Sequence, residues 1–367
     1  MSKLPNGWIE TSLGCVMKIY SGKTRPKNKG VFPVYGGNGI LNYADKYNQE
    51  NKTIIIGRVG AYCGNIFAEE QNFWLSDNAL GVKNKTNSDI KFLYYKLINM
   101  KLNNYAIGGA QPLLTQTILK ELKISIPLLP EQKVIADILS SFDEKIKLLR
   151  EQNETLETIA QTIFKELFVN FKNEKPIPIS KLIEFNPIEK IDRKKEYLFF
   201  DMKTLSTNSM ATLEGVFKKS NSGTSFREGD TLFAKITPCL ENGKTAFVLD
   251  LKSETVARGS TEFIVMRAKE KGSPYLNYCI CRDNNFRNYA IQSMTGTSGR
   301  QRVPIDRLKT YEIQYSMENI YKFNKAIKPI FKKIKNNTSQ IQTLSKTRDT
   351  LLPKLMSGEI RAEGFKQ

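Results

Sequence analysis

The stretch PEQKVIADILSSFDEKIKLLREQNETLETIAQTIFKELFV, residues 130–169, sets apolar side chains at Ile135, Leu139, Phe142, Ile146, Leu149, Leu156, Ala160, Ile163 and Leu167. The steps alternate between four and three residues, and Asn153 occupies the one missing place. A seam of that period, sustained over several heptads, makes a long helix that buries its stripe against another helix. A second stretch keeps the same phase with Phe323, Ile327, Ile330, Ile334, Ile341, Leu344, Leu351 and Leu355, and its polar seam positions are Asn337 and Arg348. Leu156 and Leu344, and likewise Leu167 and Leu355, are 188 residues apart. The chain therefore holds two copies of one unit. Each helix, at ~38 residues, is ~57 Å long, about one and a half turns of B-DNA at ~34–36 Å per turn. Pro329 inside the second pattern is expected to kink that helix or mark its start. Antiparallel packing of the pair puts Asn153 close to Asn337, where two facing amides would bond each other and specify register. The competing reading is a solvated stretch, since Asn336-Asn337-Thr338 also reads as a break.

Outward from the helices, the halves repeat in order. Ile54-Ile55-Ile56-Gly57-Arg58-Val59 corresponds to Thr231-Leu232-Phe233-Ala234-Lys235-Ile236, each run preceding a loop with Asn and Gly (Gly64-Asn65; Asn242-Gly243). Phe92-Leu93-Tyr94-Tyr95 resembles Tyr275-Leu276-Asn277-Tyr278, and Asn104-Tyr105-Ala106-Ile107 recurs as Asn288-Tyr289-Ala290-Ile291. A Gly-rich turn and a Gln, Gln111 or Gln301, follow each. Short apolar runs at 52–56, 80–82, 122–126, 231–236, 245–248 and 262–266 predict strands. Turns are expected at 36–39 and at 241–244, the latter with the Asn-Gly hairpin signature. The expected fold class is mixed α/β (α+β): two pseudo-symmetric domains separated by an antiparallel coiled coil of two long helices, the antiparallel sense and the two-fold relation being what the family resemblance given below implies. The boundaries are 1–130 for the first domain, 131–172 for the central helix, 173–316 for the second domain and 317–367 for the C-terminal helix and tail. A linker, Asn173-Glu174-Lys175-Pro176-Ile177-Pro178, opens the second half.

Composition narrows the function. The 367 residues carry 56 Lys+Arg against 37 Asp+Glu, a net charge of +19, with 40% hydrophobic residues. A folded chain with that field favours a polyanion as partner. A membrane surface is the competing partner, but no apolar run is long enough to span a bilayer and the first residues have no apolar signal segment, so the reading is a cytoplasmic protein without a membrane partner. Histidine is absent, which excludes imidazole-based nucleophilic triads and His-ligated metal. The five cysteines, Cys15, Cys63, Cys239, Cys279 and Cys281, are odd in number and scattered. The Cys279/Cys281 pair has no second pair to complete a zinc site.

Catalytic motifs are not found. Asn186-Pro187 continues into Ile188-Glu189 rather than the Pro-aromatic of an amino-group methyltransferase, and no Gly-rich phosphate loop ending in Lys-Ser/Thr occurs. Asp201-Met202-Lys203 and Glu121-Leu122-Lys123 match half of a metal nuclease site, each without a partnering Pro-Asp. Loops with basic and amide residues carry more information. Lys23, Arg25 and Lys27 cluster in one loop, and Arg300 and Arg302 flank Gln301 in another. With Arg58, Tyr62, Asn65, Gln111, Lys235, Asn242 and Lys244 they form the candidate DNA-binding set, Arg and Lys suiting guanine or phosphate and Asn and Gln suiting adenine. For any one of them a solvated basic surface is an equal reading; for the set at this charge, nucleic acid is the better one.

Ile126-Pro127-Leu128-Leu129-Pro130-Glu131-Gln132-Lys133-Val134-Ile135-Ala136, with Leu139 and Phe142-Asp143, resembles the start of the central helix of type I restriction–modification specificity subunits. Leu351-Leu352-Pro353-Lys354-Leu355-Met356-Ser357-Gly358-Glu359-Ile360 resembles their C-terminal helix. The second helix departs from the pattern: Tyr315-Ser316-Met317-Glu318-Asn319 stands where a second Pro-x-x-Glu-Gln would be. The resemblance implies that each globular half is a target recognition domain for one half of a split double-stranded DNA site, the helices fixing the gap between half-sites. It implies a non-catalytic chain that binds no cofactor itself. Methyltransferase subunits using S-adenosylmethionine and restriction subunits using ATP and Mg would be its partners. The alternatives are a self-contained DNA-modifying enzyme, or a basic coiled-coil adaptor binding nucleic acid, RNA included, without sequence preference.

Overall fold

The computed structural model describes residues 4–50, 52–170, 175–192, 194–211, 215–220, 222–249, 251, 255–297 and 299–362. The chain divides into two compact units: residues 1–146 with 343–367, and residues 147–342. The division falls inside both long helices, Leu129–Phe164 and Met317–Ser357, so each unit contains a segment of each. Of the linker that opens the second half, Asn173 and Glu174 lie outside the described residues.

Unit 1 is built on β1 (Trp8–Ser12), β2 (Met17–Ser21), β3 (Lys29–Gly36), β4 (Gly39–Ala44), β5 (Thr53–Gly57), β6 (Ile66–Glu69), β7 (Trp74–Leu75), β8 (Ala79–Asn84) and β9 (Lys123–Pro127). A four-stranded antiparallel sheet runs β2-β8-β5-β6, a three-stranded one β4-β3-β7, and β1 pairs with β9. Every residue of β5 is buried, as expected of a continuous apolar run in a sheet covered on both faces. The helix Ile90–Met100 starts where the Asp89 side chain accepts from Phe92 N, an ordinary N-cap. Its Leu93 and Leu97 pack with Ile135 and Leu139 of the central helix and Leu355 of the C-terminal helix.

Unit 2 repeats the plan with β10 (Pro176–Pro178), β11 (Ile183–Phe185), β12 (Tyr197–Phe200), β13 (Val216–Lys218), β14 (Thr224–Phe226), β15 (Thr231–Ala234), β16 (Thr245–Phe247), β17 (Ala257–Gly259), β18 (Phe263–Ala268) and β19 (Glu312–Gln314). The order β11-β18-β15-β16 matches β2-β8-β5-β6, the order β13-β12-β17 matches β4-β3-β7 with β14 added at the edge, and β10–β19 matches β1–β9. The mixed α/β expectation and the internal duplication both hold.

Within each unit the helix segments run antiparallel. In unit 2, Phe168 meets Phe323 at 5.3 Å and Asn153 meets Asn337 further along; in unit 1, Asp143 pairs with Arg348. The seam residues Ile135, Leu139, Ile146, Leu149 and Ala160 are buried, as are Phe323, Ile327, Ile334 and Leu355. Pro329 does not mark the start of the second helix. It sits on the exposed side of a helix running unbroken from Met317 to Ser357, held by burial of Phe323, Ile327, Phe331 and Ile334 on the opposite side. Asn336-Asn337-Thr338 is likewise helical, not a break. The first helix ends in a π-helical turn, Lys165–Val169, closed by Asn170 N donating to Lys165 O at 2.8 Å.

Two local expectations change. The Asn-Gly at 242–243 joins antiparallel β15 and β16, with Gly243 at φ 75°, but inside a ten-residue connection, 235–244, rather than a two-residue hairpin turn. The repeated tetrapeptide is not structurally equivalent: Asn288–Ile291 lies in the helix Asn284–Gln292, whereas Ile107 forms a β-bridge with Leu113. The true counterpart of that bridge is Thr295 with Arg302.

Candidate nucleic-acid interface

In unit 1, β2 and β5 finish, and β6 and β8 begin, at one end of the four-stranded sheet, as the registers Ser21↔Leu80, Ile56↔Leu80 and Ile56↔Ile66 require. Loops 22–28, 58–65 and 76–78 therefore emerge together. Loop 107–113 joins them through Val59↔Leu113, with Gly60 N donating to Pro112 O (2.9 Å) and Leu114 N to Arg58 O (2.8 Å). The segment 75–79 ties the rest: Lys23 N donates to Leu75 O at 3.0 Å and Arg58 N to Asn78 O at 3.2 Å. Gly57 permits this crowding, because a Cβ there would lie 2.4 Å from Tyr62 O and 2.7 Å from Gly37 O.

Unit 2 has the same frame. Thr237 N donates to Gln301 O (3.1 Å), Val303 N to Lys235 O (2.9 Å), Lys235 N to Glu262 O (3.0 Å), and Ile236 bridges Arg302. Arg58 and Lys235 are thus equivalent, as the sequence alignment has them. By the same bonds Asn78 corresponds to Glu262, Pro112 to Gln301 and Leu113 to Arg302. The alignment of Gln111 with Gln301 is therefore off by one residue, and Gln111 corresponds to Arg300.

The candidate side chains differ in how free they are. Lys23, Arg25, Lys27, Tyr62, Asn65, Gln111, Asn242 and Arg300 are exposed. Arg25 and Lys27 lie farther along the loop from Lys23, toward β3, where Asn28 is tied to Asp45 at 2.9 Å. Arg58 is half-buried, and its Nε has no partner among the described residues. Lys244 is engaged instead, donating to Met202 O at 2.8 Å. Gln301 is half-buried and contributes its backbone to the frame. Arg302 makes three bonds to Glu262 (Nε to Oε2 2.9 Å and to Oε1 3.2 Å, Nη2 to Oε1 2.8 Å), with Lys235 Nζ 4.0 Å away. The Arg302 bonds, against the opposing effect of burial and with help from Lys235, hold the Glu262 carboxyl below its ordinary range.

Besides Glu262, sequence reasoning missed three features. The loop after β11 takes the place of the Lys23 loop and exposes Lys190, Lys194 and Lys195; the basic run itself was the available signal. That loop is anchored by Glu189, whose carboxyl, despite burial, is held below its ordinary range by ion pairs with Arg227 (2.6 Å) and Arg267 (2.7 Å). Asn186, at φ 50°, exchanges both bonds with Val265 and closes the end of β11, a structural use of the Asn-Pro pair. Arg282 donates to Thr207 O, Gly243 O and Thr245 O, fixing the far side of loop 235–244. Cys279 and Cys281 are buried in the helix Pro274–Arg282, where burial raises both thiols.

Residues 5–158 match the family described as "Type I restriction modification DNA specificity domain". The chain is 34% identical over 140 residues to the type I restriction enzyme EcoprrI specificity subunit of Escherichia coli, covering 36% of this chain and 35% of that one. It is 28% identical over 310 residues to the MjaIX specificity subunit of Methanocaldococcus jannaschii, covering 74% and 69%. The chain thus spans about a third of the first relative's length and about two thirds of the second's. In fold it is similar to the type I restriction–modification S subunit from M. genitalium, with a TM-score of 0.64 at 18% identity over 96% of this chain and 98% of that one.

Proposed function

We propose that the chain is a type I restriction–modification specificity subunit, as the relatives it resembles are named, and that it reads a split double-stranded DNA target, one half with each unit, supplying recognition rather than catalysis. The observation that carries the reading is the duplicated frame: the same loops, at the same end of the same sheet, present exposed cations and amides in both units. Such side chains supply both phosphate attraction and base-edge hydrogen bonds. The two units carry different residues on that frame, which suits a target whose halves differ.

Two methyltransferase subunits carrying S-adenosylmethionine and ATP- and Mg-dependent restriction subunits are the partners this function needs, in the cytoplasm where the DNA is. Among the described residues no helix is long and apolar enough to cross a membrane. Expression with and without a cognate methyltransferase subunit, followed by mapping of methylated adenines, tests the proposal. One two-part motif that requires both chains is expected. Methylation by this chain alone would instead make it an enzyme, and binding without any motif would make it a non-specific adaptor.

A further inference from the structure

The shared frame makes the two units comparable residue by residue, and unit 2 departs from unit 1 by carrying a carboxylate on it. Unit 1 places Arg58, Asn78 and Leu113 where unit 2 places Lys235, Glu262 and Arg302. A carboxylate at a surface facing a polyanion is repelled by phosphates, so it needs a donor to meet. In the major groove the base donors are the exocyclic amino groups of cytosine and adenine. Glu262 is ionised and its side chain is 23% exposed. Its two oxygens offer about four acceptor sites, of which Arg302 takes three, at 2.8, 2.9 and 3.2 Å. Arg302 is engaged through Nε and Nη2 and is 48% exposed, leaving Nη1 for an acceptor. The side-by-side acceptors N7 and O6 that suit a guanidinium belong to guanine, whereas adenine sets an amino donor beside its N7.

We infer that Glu262 is a specificity-determining residue of unit 2, accepting the amino group of cytosine in a C·G pair while the Arg302 it holds faces that pair's guanine. This rests on the DNA-reading function proposed above. Unit 1 has no carboxylate at the equivalent place, and the Nε of Arg58 stands unpaired among the described residues, so its half of the target is read with different chemistry.

Selection of duplexes from a randomised pool by the full chain in complex with a cognate methyltransferase subunit tests the inference. The unaltered chain is expected to enrich a two-part motif with an invariant C·G pair. Glu262→Gln keeps the size and an acceptor but adds a donor, and should lower discrimination at that pair by about 10-fold or more while the other half stays stringent. Arg58→Ala should relax a position in the other half instead. Unchanged stringency with Glu262→Gln, or relaxation at an A·T pair, overturns the assignment while leaving DNA reading intact. No enriched motif from the unaltered chain would overturn DNA reading itself. Should Glu262→Gln not fold, Arg302→Lys serves: loss of stringency at the same C·G pair supports the inference and an unchanged motif overturns it.

Discussion

Replacing Asn153 and Asn337 with leucine, singly and together, should give a strongly non-additive cycle. Asn337 is 0% and Asn153 7% exposed. Asn337 Nδ2 donates to Asn153 Oδ1 and to Gln152 Oε1, each at 2.8 Å, while its own Oδ1 has no partner among the described residues. Asn153→Leu removes one of two acceptors and leaves the buried amide of Asn337 in place, at a cost of about 1–3 kcal/mol. Asn337→Leu removes an amide that is already half unsatisfied but takes the donor from the buried Asn153 Oδ1, so it too should cost about 1–3 kcal/mol. The double variant removes both desolvated amides and adds two leucines to the seam, each contributing up to about 1.5–3 kcal/mol if fully buried. It should therefore be more stable than the unaltered chain, while losing the polar pair that fixes helix register. Urea unfolding with a common m-value measures all four corners. Additivity within ~0.5 kcal/mol, or a stabilising Asn153→Leu, would refute the reasoning.

Lys96 is buried, donates to Met356 O at 2.8 Å, and burial lowers its pKa from 10.5 to about 8. Between those values the unfolded chain binds the extra proton, so stability rises with pH; below about 8 both states are protonated and the burial cost is carried in full. From pH 7.5 to 9.5 the unaltered chain should gain up to about 2 kcal/mol relative to Lys96→Met, and parallel melting profiles would contradict this. Lys23→Ala or Arg25→Ala should weaken DNA binding across sequences and lower the salt slope by roughly one if each meets a phosphate. A changed sequence preference at constant slope would make the residue a base reader. Gly57→Ala would push a Cβ to 2.4 Å from Tyr62 O, so a loss of about 1–3 kcal/mol and a degraded unit 1 half-site are expected in melting and duplex selection. Normal values for both would show that the loop yields.

The helices and the duplication were legible because a heptad seam and its 188-residue offset depend only on the order of apolar residues. Asn153 and Asn337 were legible as a pair for the same reason. Strand identity was legible where runs are continuous, as in β5 and β15. Loop equivalence was not, because it follows backbone bonds that sequence similarity does not track: Asn104–Ile107 and Asn288–Ile291 share letters but not structure. Glu262 was invisible as a site residue, since nothing local places it beside Arg302, forty residues away. Lys244 carries the right charge, yet it is bonded to Met202 O, and Arg302 keeps only Nη1 for an outside acceptor because Glu262 takes its Nε and Nη2. Only folded geometry separates such residues from free ones like Lys23.

The central claim is that each unit reads one half of the target through its sheet-end loops. Mapping methylated adenines in cells that express a methyltransferase subunit with either the unaltered chain or a variant carrying Arg58→Ala, Tyr62→Ala and Gln111→Ala tests it most directly. The account predicts a two-part motif in which the variant degrades one half and leaves the other unchanged. Equal change in both halves, or none in either, would contradict it.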